Sequence, residues 1–142
     1  MTLDKKRPVL EFEIPGKAVP LKSPRIFYDK RRGKYRGVVP QEVKDWQANI
    51  IIWSKVGTRK QRWRLTDNAV ILDVEIGIQR KSNQKNWKYP ETKPDRTNLL
   101  KPIEDALEGI VYTNDSRIVD GRVTKVFADY DYVRIKVVDL EG

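Results

Sequence analysis

The chain of 142 residues contains no cysteine and no histidine, and these two absences exclude whole classes of chemistry. Without these residues the protein cannot form a disulfide, a thiolate or imidazole metal site, a Ser-His-Asp triad or a cysteine nucleophile. Only oxygen ligands remain for a metal ion, and oxygen suits hard cations such as Mg²⁺ or Mn²⁺. Any metal site in this sequence therefore depends on its carboxylates.

Long apolar runs are also missing, and this bears on where the protein acts. Nothing in the sequence predicts a transmembrane segment, and Met1–Ile14 does not resemble a signal peptide. Together with the absence of disulfides, this favours a cytoplasmic protein with no membrane partner. The length and the hydrophobic content of 39% predict one globular domain over residues 1–142.

Acidic residues are scarce in the first half of a chain whose net charge is +9. Residues 1–66 hold 17 basic against 6 acidic side chains, whereas residues 67–142 hold 12 against 14. The basic half is typical of a surface that binds a polyanion such as nucleic acid. A solvated face that only improves solubility would have the same charge, so the motifs must decide between the two.

The segment Lys17–Arg36 concentrates the basic residues and mixes them with aromatics. We interpret it as a loop whose cations contact phosphates while Phe27, Tyr28 and Tyr35 suit exposed bases. The alternative is a hairpin with Gly33 at its tip that packs its aromatics inward. The candidate DNA-binding residues are Lys17, Lys22, Arg25, Lys30, Arg31, Arg32, Lys34 and Arg36.

Hydrophobic periodicity predicts an α+β fold with a mixed β-sheet and two main helices. The first helix starts after Pro40, is stopped by Gly57 and carries the apolar stripe Val43, Trp46, Ile50 and Trp53, whose tryptophans suit the core or a dimer interface. Polar loops are expected at Thr58–Arg64 and Arg80–Pro94. The predicted strands are Val9–Ile14, Val70–Gln79, Ile118–Phe127 and Tyr132–Val138, the last two paired through Ala128–Asp131.

The second predicted helix, Leu99–Leu107 closed by Gly109, is flanked by two carboxylates, Asp95 and Asp115. If the chain doubles back after Gly109, these carboxylates can meet and hold a metal ion. Asp95 can instead cap the helix.

Lys101 lies on this helix four residues before Asp105. It can supply a fixed positive charge beside a phosphate, or the two residues can form an ordinary surface ion pair. Glu104 and Glu108 face away from the apolar stripe and are expected to be solvated.

Two groups of motifs resemble the RusA-type Holliday junction resolvases. The first is Pro94-Asp95, Asn98-Leu99, Lys101, Asp105-Ala106-Leu107, Gly109 and Asn114-Asp115-Ser116. The second is the opening Pro15-Gly16-Lys17-Ala18-Val19-Pro20, followed by Lys22 and Pro24-Arg25. Each piece alone is weak, but the ordered set with its spacing covers nearly the whole chain.

The resemblance implies a homodimeric endonuclease that cuts branched DNA in recombination and repair, of the kind found in phages or prophages. It implies Mg²⁺, or Mn²⁺, as the cofactor and no organic cofactor. By the same resemblance Asp95 and Asp115 are metal ligands and catalytic, and Lys101 is the catalytic lysine. The fold expected from the family is a single RusA-like domain.

The sequence departs from the family pattern at two positions. Thr97 stands where the pattern has a second Asp, and Asn114 stands before Asp115 where another Asp is frequent. A threonine cannot supply a carboxylate, so either fewer charges hold the metal or Asp105 or Glu104 substitutes. Thr97 and Asn98 can cap the helix, and Asn98, like Thr97 and Asn114, can also orient a ligand or a metal-bound water.

Three functions are compatible with the sequence. The first is a metal-dependent, structure-selective endonuclease. The second is a basic DNA-binding protein with a weakened or inactive nuclease site, which Thr97 keeps open. The third is an RNA-binding module, which shares the charge pattern but lacks an RNP-like string of aromatics.

Overall fold

The computed structural model describes residues 6–22 and 25–142, in which three strands precede the first α-helix, one strand separates the two α-helices and three strands follow the second. Two helices are present in these residues, α1 (Gln41–Lys60) and α2 (Arg96–Leu107). The strands are β1 (Val9–Pro15), β2 (Arg25–Asp29), β3 (Lys34–Val38), β4 (Val70–Gln79), β5 (Ile118–Asp120), β6 (Val123–Ala128) and β7 (Tyr132–Asp139).

Strand β4 is central to the main sheet. On one side it pairs antiparallel with β7, which pairs antiparallel with β1. On its other side it pairs in parallel with β5 and then with β6. The prediction of an α+β fold with a mixed sheet and two main helices is therefore confirmed.

The predicted pairing of the last two strands is wrong. Strands β6 and β7 both pair with β4 and lie on opposite sides of it, so Ala128–Asp131 crosses β4 instead of closing a hairpin. The predicted strand Ile118–Phe127 is also interrupted between β5 and β6. At the break, Gly121 has a φ of +148°, and a Cβ there would lie 1.8 Å from the Leu72 carbonyl oxygen. Only glycine fits this approach to β4.

Both helices pack on one face of the main sheet. The alternate residues Val70, Leu72, Val74 and Ile76 of β4 are buried against them, in one core with residues of α1 and α2. The opposite face is polar, and Arg134 there contacts both Glu75 and Glu13. The strict alternation along β4 produces this division, because successive side chains of a strand point to opposite faces.

Helix α1 runs further than predicted, because Gly57 lies inside it and does not stop it. Gly57 is buried against β1, where a Cβ would come within 2.9 Å of the Phe12 ring. The glycine thus permits close packing of helix on strand. Trp46 is in the core, as predicted, whereas Trp53 is 38% exposed on the outer side of α1.

Strands β2 and β3 form a separate two-stranded hairpin, with Gly33 in its turn. The loop prediction for Lys17–Arg36 is therefore wrong over this stretch, and the hairpin alternative is confirmed. Its aromatics do not pack inward, because Tyr28 and Tyr35 contact each other edge to face and are 52% and 73% exposed. Ser23, Pro24 and the side chain of Arg25 lie outside the described residues.

Candidate active site and DNA-binding cleft

Asp95 occupies the N-cap position of α2, but its carboxylate does not cap the helix. The backbone carbonyl of Asp95 accepts a hydrogen bond from the Leu99 N–H (3.2 Å), and its side chain makes no capping hydrogen bond. The residue is exposed. The capping alternative is therefore wrong for the Asp95 side chain, because its carboxylate accepts no hydrogen bond from the N–H groups at the start of α2.

Pro102 lies inside α2 and changes the hydrogen bonding of its first turns. A proline has no N–H, so it cannot bond the carbonyl four residues earlier, which belongs to Asn98. That carbonyl instead accepts from the Leu21 N–H at 2.8 Å. A missing helix bond thus attaches the segment containing Lys17 and Lys22 to the beginning of α2.

The ammonium of Lys101 joins two carboxylates. Its Nζ lies 3.0 Å from an Asp105 oxygen and 3.1 Å from an Asp115 oxygen. These hydrogen bonds, to Asp105 first and then to Asp115, raise the pKa of Lys101 above its usual range. Lys101 therefore remains protonated at any physiological pH and presents a fixed positive charge. Asp105 and Asp115 are both held close to this charge.

The prediction that Glu104 and Glu108 are both solvated is wrong for Glu104 and confirmed for Glu108. Glu104 is half-buried, and burial raises its pKa, with Asp115 and Asp105 adding to the effect and Lys101 opposing it. Glu108 is exposed, but its carboxylate accepts a hydrogen bond from the Asp115 N–H (2.9 Å). Glu108 therefore helps to fix Asp115 from the end of α2. The contact crosses a turn, so helix periodicity alone does not reveal it.

Thr97, Asn98 and Asn114 have different surroundings. Thr97 and Asn98 lie in the first turn of α2 and are exposed, so neither is the N-cap residue. Thr97 precedes Lys101 by four residues and so lies on the same face of the helix. Asn114 caps the short turn Asp115–Arg117, where its side chain accepts from the Ser116 N–H (2.8 Å).

A cleft of about 640 Å³ opens beside Asp95, and we call it the Asp95 cleft. It lies between the segment 17–22, the end of β4 and the loop that precedes α2. Lys17 and Lys22, both predicted to bind DNA, line it, and Lys22 is paired with Glu42 at 2.8 Å. Lys81 and Lys93 also line it, and the sequence analysis did not select them.

Lys125 fixes the chain directly before Asp95. Its Nζ donates to the carbonyl oxygens of Thr92 (2.8 Å) and Pro94 (3.1 Å). Arg96 adds a weaker bond from the other side of Asp95, to the Val123 carbonyl at 3.4 Å. Strand β6 therefore positions Asp95, although Lys125 is 30 residues away in sequence and no motif marks it.

The remaining candidate DNA-binding residues lie on the hairpin. Asp29 orders its turn by accepting from the N–H groups of Arg31 (3.0 Å) and Arg32 (3.4 Å). Arg36 contacts the other Asp29 oxygen at 3.4 Å. The side chains of Lys30, Arg31, Arg32, Lys34 and Arg36 are all exposed, so the hairpin presents its cations to the solvent.

The acidic residues divide into Asp95 in its cleft and Asp115 beside Lys101. In residues 6–22 and 25–142 no three acidic side chains gather closely enough to hold a metal ion. Mg²⁺ in enzymes is commonly bound by one or two carboxylates together with waters and substrate phosphates. Asp95 and Asp115 would fit that requirement if their carboxylates meet. The predicted meeting of Asp95 and Asp115 stays a prediction.

The structure is thus an α+β protein in which the carboxylate of Asp95 lies at a cleft that four lysines also line. The chain belongs to the RusA endodeoxyribonuclease family, since the family model for endodeoxyribonuclease RusA matches residues 15–138. The resemblance drawn from the motifs is thereby confirmed.

One curated relative is similar to part of this chain. Over 54 residues the chain is 35% identical to the uncharacterized protein YqaN of Bacillus subtilis (strain 168), which covers 38% of this chain. The chain likewise spans only 38% of that protein. Among the described residues, no helix has the length and apolar character needed to cross a membrane.

Proposed function

We propose that this protein is a metal-dependent, structure-selective endodeoxyribonuclease that resolves Holliday junctions or related branched DNA in recombination and repair. Residues 1–142 form one RusA-like domain for this activity. The observation that carries the proposal is the contact between Lys101 and Asp115. Lys101 lies on α2, the helix that begins directly after Asp95. The family motif thus includes Asp95, whose carboxylate makes no helix-capping hydrogen bond, and Lys101, whose ammonium contacts Asp115.

In this proposal Asp95 and Asp115 hold Mg²⁺ or Mn²⁺ together with waters and a DNA phosphate. Asp105 would have to move towards them to substitute for the carboxylate that Thr97 lacks, because no three acidic side chains are gathered among the described residues. Asp105 supports this role because it shares the Lys101 ammonium with Asp115. When bound, such an ion lowers the pKa of a coordinated water and neutralises charge on the phosphate. Asn98 and Asn114 orient the carboxylates or the water, and Glu108 keeps Asp115 in place through its backbone N–H.

Lys101 acts as a fixed positive charge beside the phosphate. Because its pKa is raised by its two carboxylate partners, it is not a candidate general base. A charge that is already positioned stabilises the negative charge that develops in the transition state at little cost in reorganisation. We infer that Lys101 serves the reacting phosphate in this way, with Asp105 and Asp115 determining where its ammonium lies.

DNA binding is assigned to two surfaces. The exposed cations of the hairpin contact duplex phosphates, and Lys17 and Lys22 lead one strand into the Asp95 cleft. Arg25 belongs to the same strand as Ile26 and Phe27 and completes the predicted set. Phosphate contacts of this type dominate affinity and make it strongly dependent on salt.

We further propose a symmetric homodimer, because two symmetric nicks in a junction require two sites related by a two-fold axis. Ile52, Trp53 and Val56 form an apolar patch on α1 and are 59%, 38% and 50% exposed. Aromatic and aliphatic side chains of this kind suit the centre of an interface. Sedimentation velocity should show a dimer at micromolar concentration, and Trp53→Ser should shift it towards monomer. A stable wild-type monomer, unchanged by junction DNA, would contradict the proposal.

The decisive experiment compares a synthetic four-way junction with a matching duplex. Purified protein is incubated with each DNA in Mg²⁺, Mn²⁺ or EDTA, and the products are resolved on denaturing gels. We expect paired, symmetric nicks in the junction with either metal, and neither in EDTA nor in the duplex. Junction binding without nicks under every condition would instead support the second candidate, a DNA-binding protein with an inactive site. Thr97 is the residue that favours that candidate.

A further inference from the structure

The Asp95 cleft has an apolar floor that phosphate chemistry does not explain. Val19, Ile76, Ile78 and Leu99 contribute to this floor, and most of the lining is apolar. Its volume of about 640 Å³ lies within the range of pockets that enclose small organic ligands. A phosphodiester backbone gains little from such a surface. The cleft therefore has room and chemistry for an apolar, planar group next to a candidate catalytic carboxylate.

Gln84 supplies a polar group at this floor. It lines the cleft and is only 7% exposed. Its side-chain oxygen accepts from the Lys81 N–H at 3.1 Å, which fixes the amide, and we find no partner for its amide nitrogen among the described residues. Among the described residues the buried side-chain polar atom without a partner is Trp46 Nε1, so the Gln84 amide nitrogen is not fully enclosed and can be reached from solvent. A fixed donor with no protein acceptor suits the carbonyl oxygen or ring nitrogen of a nucleobase, which amides recognise.

The charges of the cleft are placed for a nucleotide. Four lysines and three carboxylates line it, and Lys22 is paired with Glu42 at 2.8 Å. The lysines are all exposed, so their ammonium groups lie towards solvent and not at the apolar floor; they are Lys17, Lys22, Lys81 and Lys93, and the other two carboxylates are Asp95 and Asp131. A nucleotide that enters base first leaves its phosphates at the outside. The exposed lysines beyond the Lys22–Glu42 pair can meet the phosphates of such a nucleotide, while the apolar floor receives its base.

We propose that the Asp95 cleft accepts a single unpaired base of the DNA strand being cut, with Gln84 as a hydrogen-bond donor to that base. Extruding a base costs least where it is already mismatched or unpaired, as at a branch point. Such a pocket gives the enzyme a means to distinguish a junction from an intact duplex. The inference rests on the proposed function, because it assumes that branched DNA is the substrate.

The test places 2-aminopurine at successive positions around the centre of a four-way junction. DNA binding is measured by anisotropy in EDTA, so that nothing is cut, and base extrusion is measured by 2-aminopurine fluorescence. None of the described residues lining the cleft is aromatic, so an extruded base loses its stacking partners and gains none. We expect a several-fold rise in fluorescence at one position beside the branch point, and no rise in a duplex of the same sequence.

Two variants locate the effect in the cleft. Gln84→Glu keeps the acceptor for the Lys81 N–H but removes the amide donor, and it should abolish the rise. Asn83→Asp makes the same change of charge at the exposed neighbour in the same short turn, and it should keep the rise. Ala18→Phe fills the cleft and should also abolish the rise while the hairpin still binds the junction.

The outcomes separate this inference from the proposed function. If the junction is bound and nicked in Mg²⁺ but no position shows a rise, the base pocket is refuted and the nuclease stands. A rise that persists in Gln84→Glu and Ala18→Phe would also refute the pocket, because the base is then extruded elsewhere. If the protein neither binds nor cuts a junction, the proposed function itself fails. Circular dichroism of each variant verifies that it is folded.

Discussion

The hairpin β2–β3 and the helix α2 both carry dense charge, yet their charges are held differently. On the hairpin, Arg31 and Lys34 are exposed and make no ion pair among the described residues. On α2, Lys101 is bonded to two carboxylates, one of which is fixed again by Glu108. Exposed cations can follow a phosphate backbone wherever it lies, whereas chemistry at one phosphate requires groups in defined positions. The two regions are thus suited to binding and to cutting.

The largest expected effect separates cutting from binding. Asp95→Asn and Asp115→Asn should each reduce junction cleavage by at least about 100-fold, because each removes a charge that acts on the reacting groups. Junction binding should be unchanged or tighter, since a carboxylate close to phosphates repels them. Single-turnover cleavage and anisotropy on the same preparations measure both quantities. If both variants cleave like wild type, α2 does not carry the active site.

The converse experiment weakens binding and leaves the site intact. With about 6 phosphates neutralised, the log–log salt slope of the binding constant should be near −5. Replacing Arg31, Arg32 and Lys34 together by Ala should make this slope shallower by about 2.7, at roughly 0.9 for each contact. The matched control removes three exposed lysines elsewhere, at Lys44, Lys60 and Lys136, and should preserve the slope. A wild-type slope near zero between 50 and 200 mM salt, the interval over which such effects are large, would exclude phosphate contacts.

Thr97 provides a gain-of-function test of the cutting region. Its position four residues before Lys101 puts a new carboxylate on the same face of α2, between Asp95 and Asp105 in sequence. Thr97→Asp should therefore tighten metal binding and increase cleavage severalfold at limiting Mg²⁺, because affinity for hard cations rises with ligand charge. Thr97→Asn serves as the uncharged control. Activity in Thr97→Asp alone, with an inactive wild type, would favour the inactive-site hypothesis. Loss of cutting in folded Asp105→Asn would identify Asp105 as the substitute ligand.

The smallest effect concerns stability and tests whether burial disfavours the charged form of Glu104. Because the folded state raises the pKa of Glu104, protonation favours folding, and that contribution is lost as pH rises through the folded pKa. Glu104→Gln should therefore have a higher Tm than wild type at pH 7. The gain should vanish below the ordinary glutamate pKa of about 4.3, where Glu104 is neutral in both states. Glu91→Gln, at an exposed loop position, should show no such difference; equal gains in both variants would point to net charge instead.

Local patterns predicted much of this fold, and non-local contacts account for most of the errors. The alternation in β4 and the apolar repeat of α2 specify one element each, and both were predicted closely. The pairing of β6 and β7 was not, because whether β4 inserts between them depends on residues that are far apart in sequence, such as Val74 and Val123. Gly57 could not be placed inside α1 from the sequence for the same reason. The residue that leaves no room for a side chain there is Phe12, which lies on β1.

The candidate site divides in the same way. Asp95, Lys101, Asp105 and Asp115 could be selected from the order of the motifs. Lys125, which holds the backbone before Asp95, could not, because it is an isolated lysine on a different strand. Sequence reasoning thus selects groups with suitable chemistry, whereas the groups that position them emerge only from the fold.

Pro102 gives the molecule a mechanical property that its catalytic groups do not reveal. By leaving the Asn98 carbonyl without its helical donor, it lets Leu21 bond there, so one hydrogen bond ties the wall of the Asp95 cleft to the helix that carries Lys101. Under the proposed function, the entrance for the DNA strand and the cutting groups would therefore share a support. A DNA strand that displaces the segment 17–22 would then also displace α2 through this hydrogen bond. The position of Lys101 relative to the DNA phosphate would therefore depend on how well the DNA strand fits the cleft.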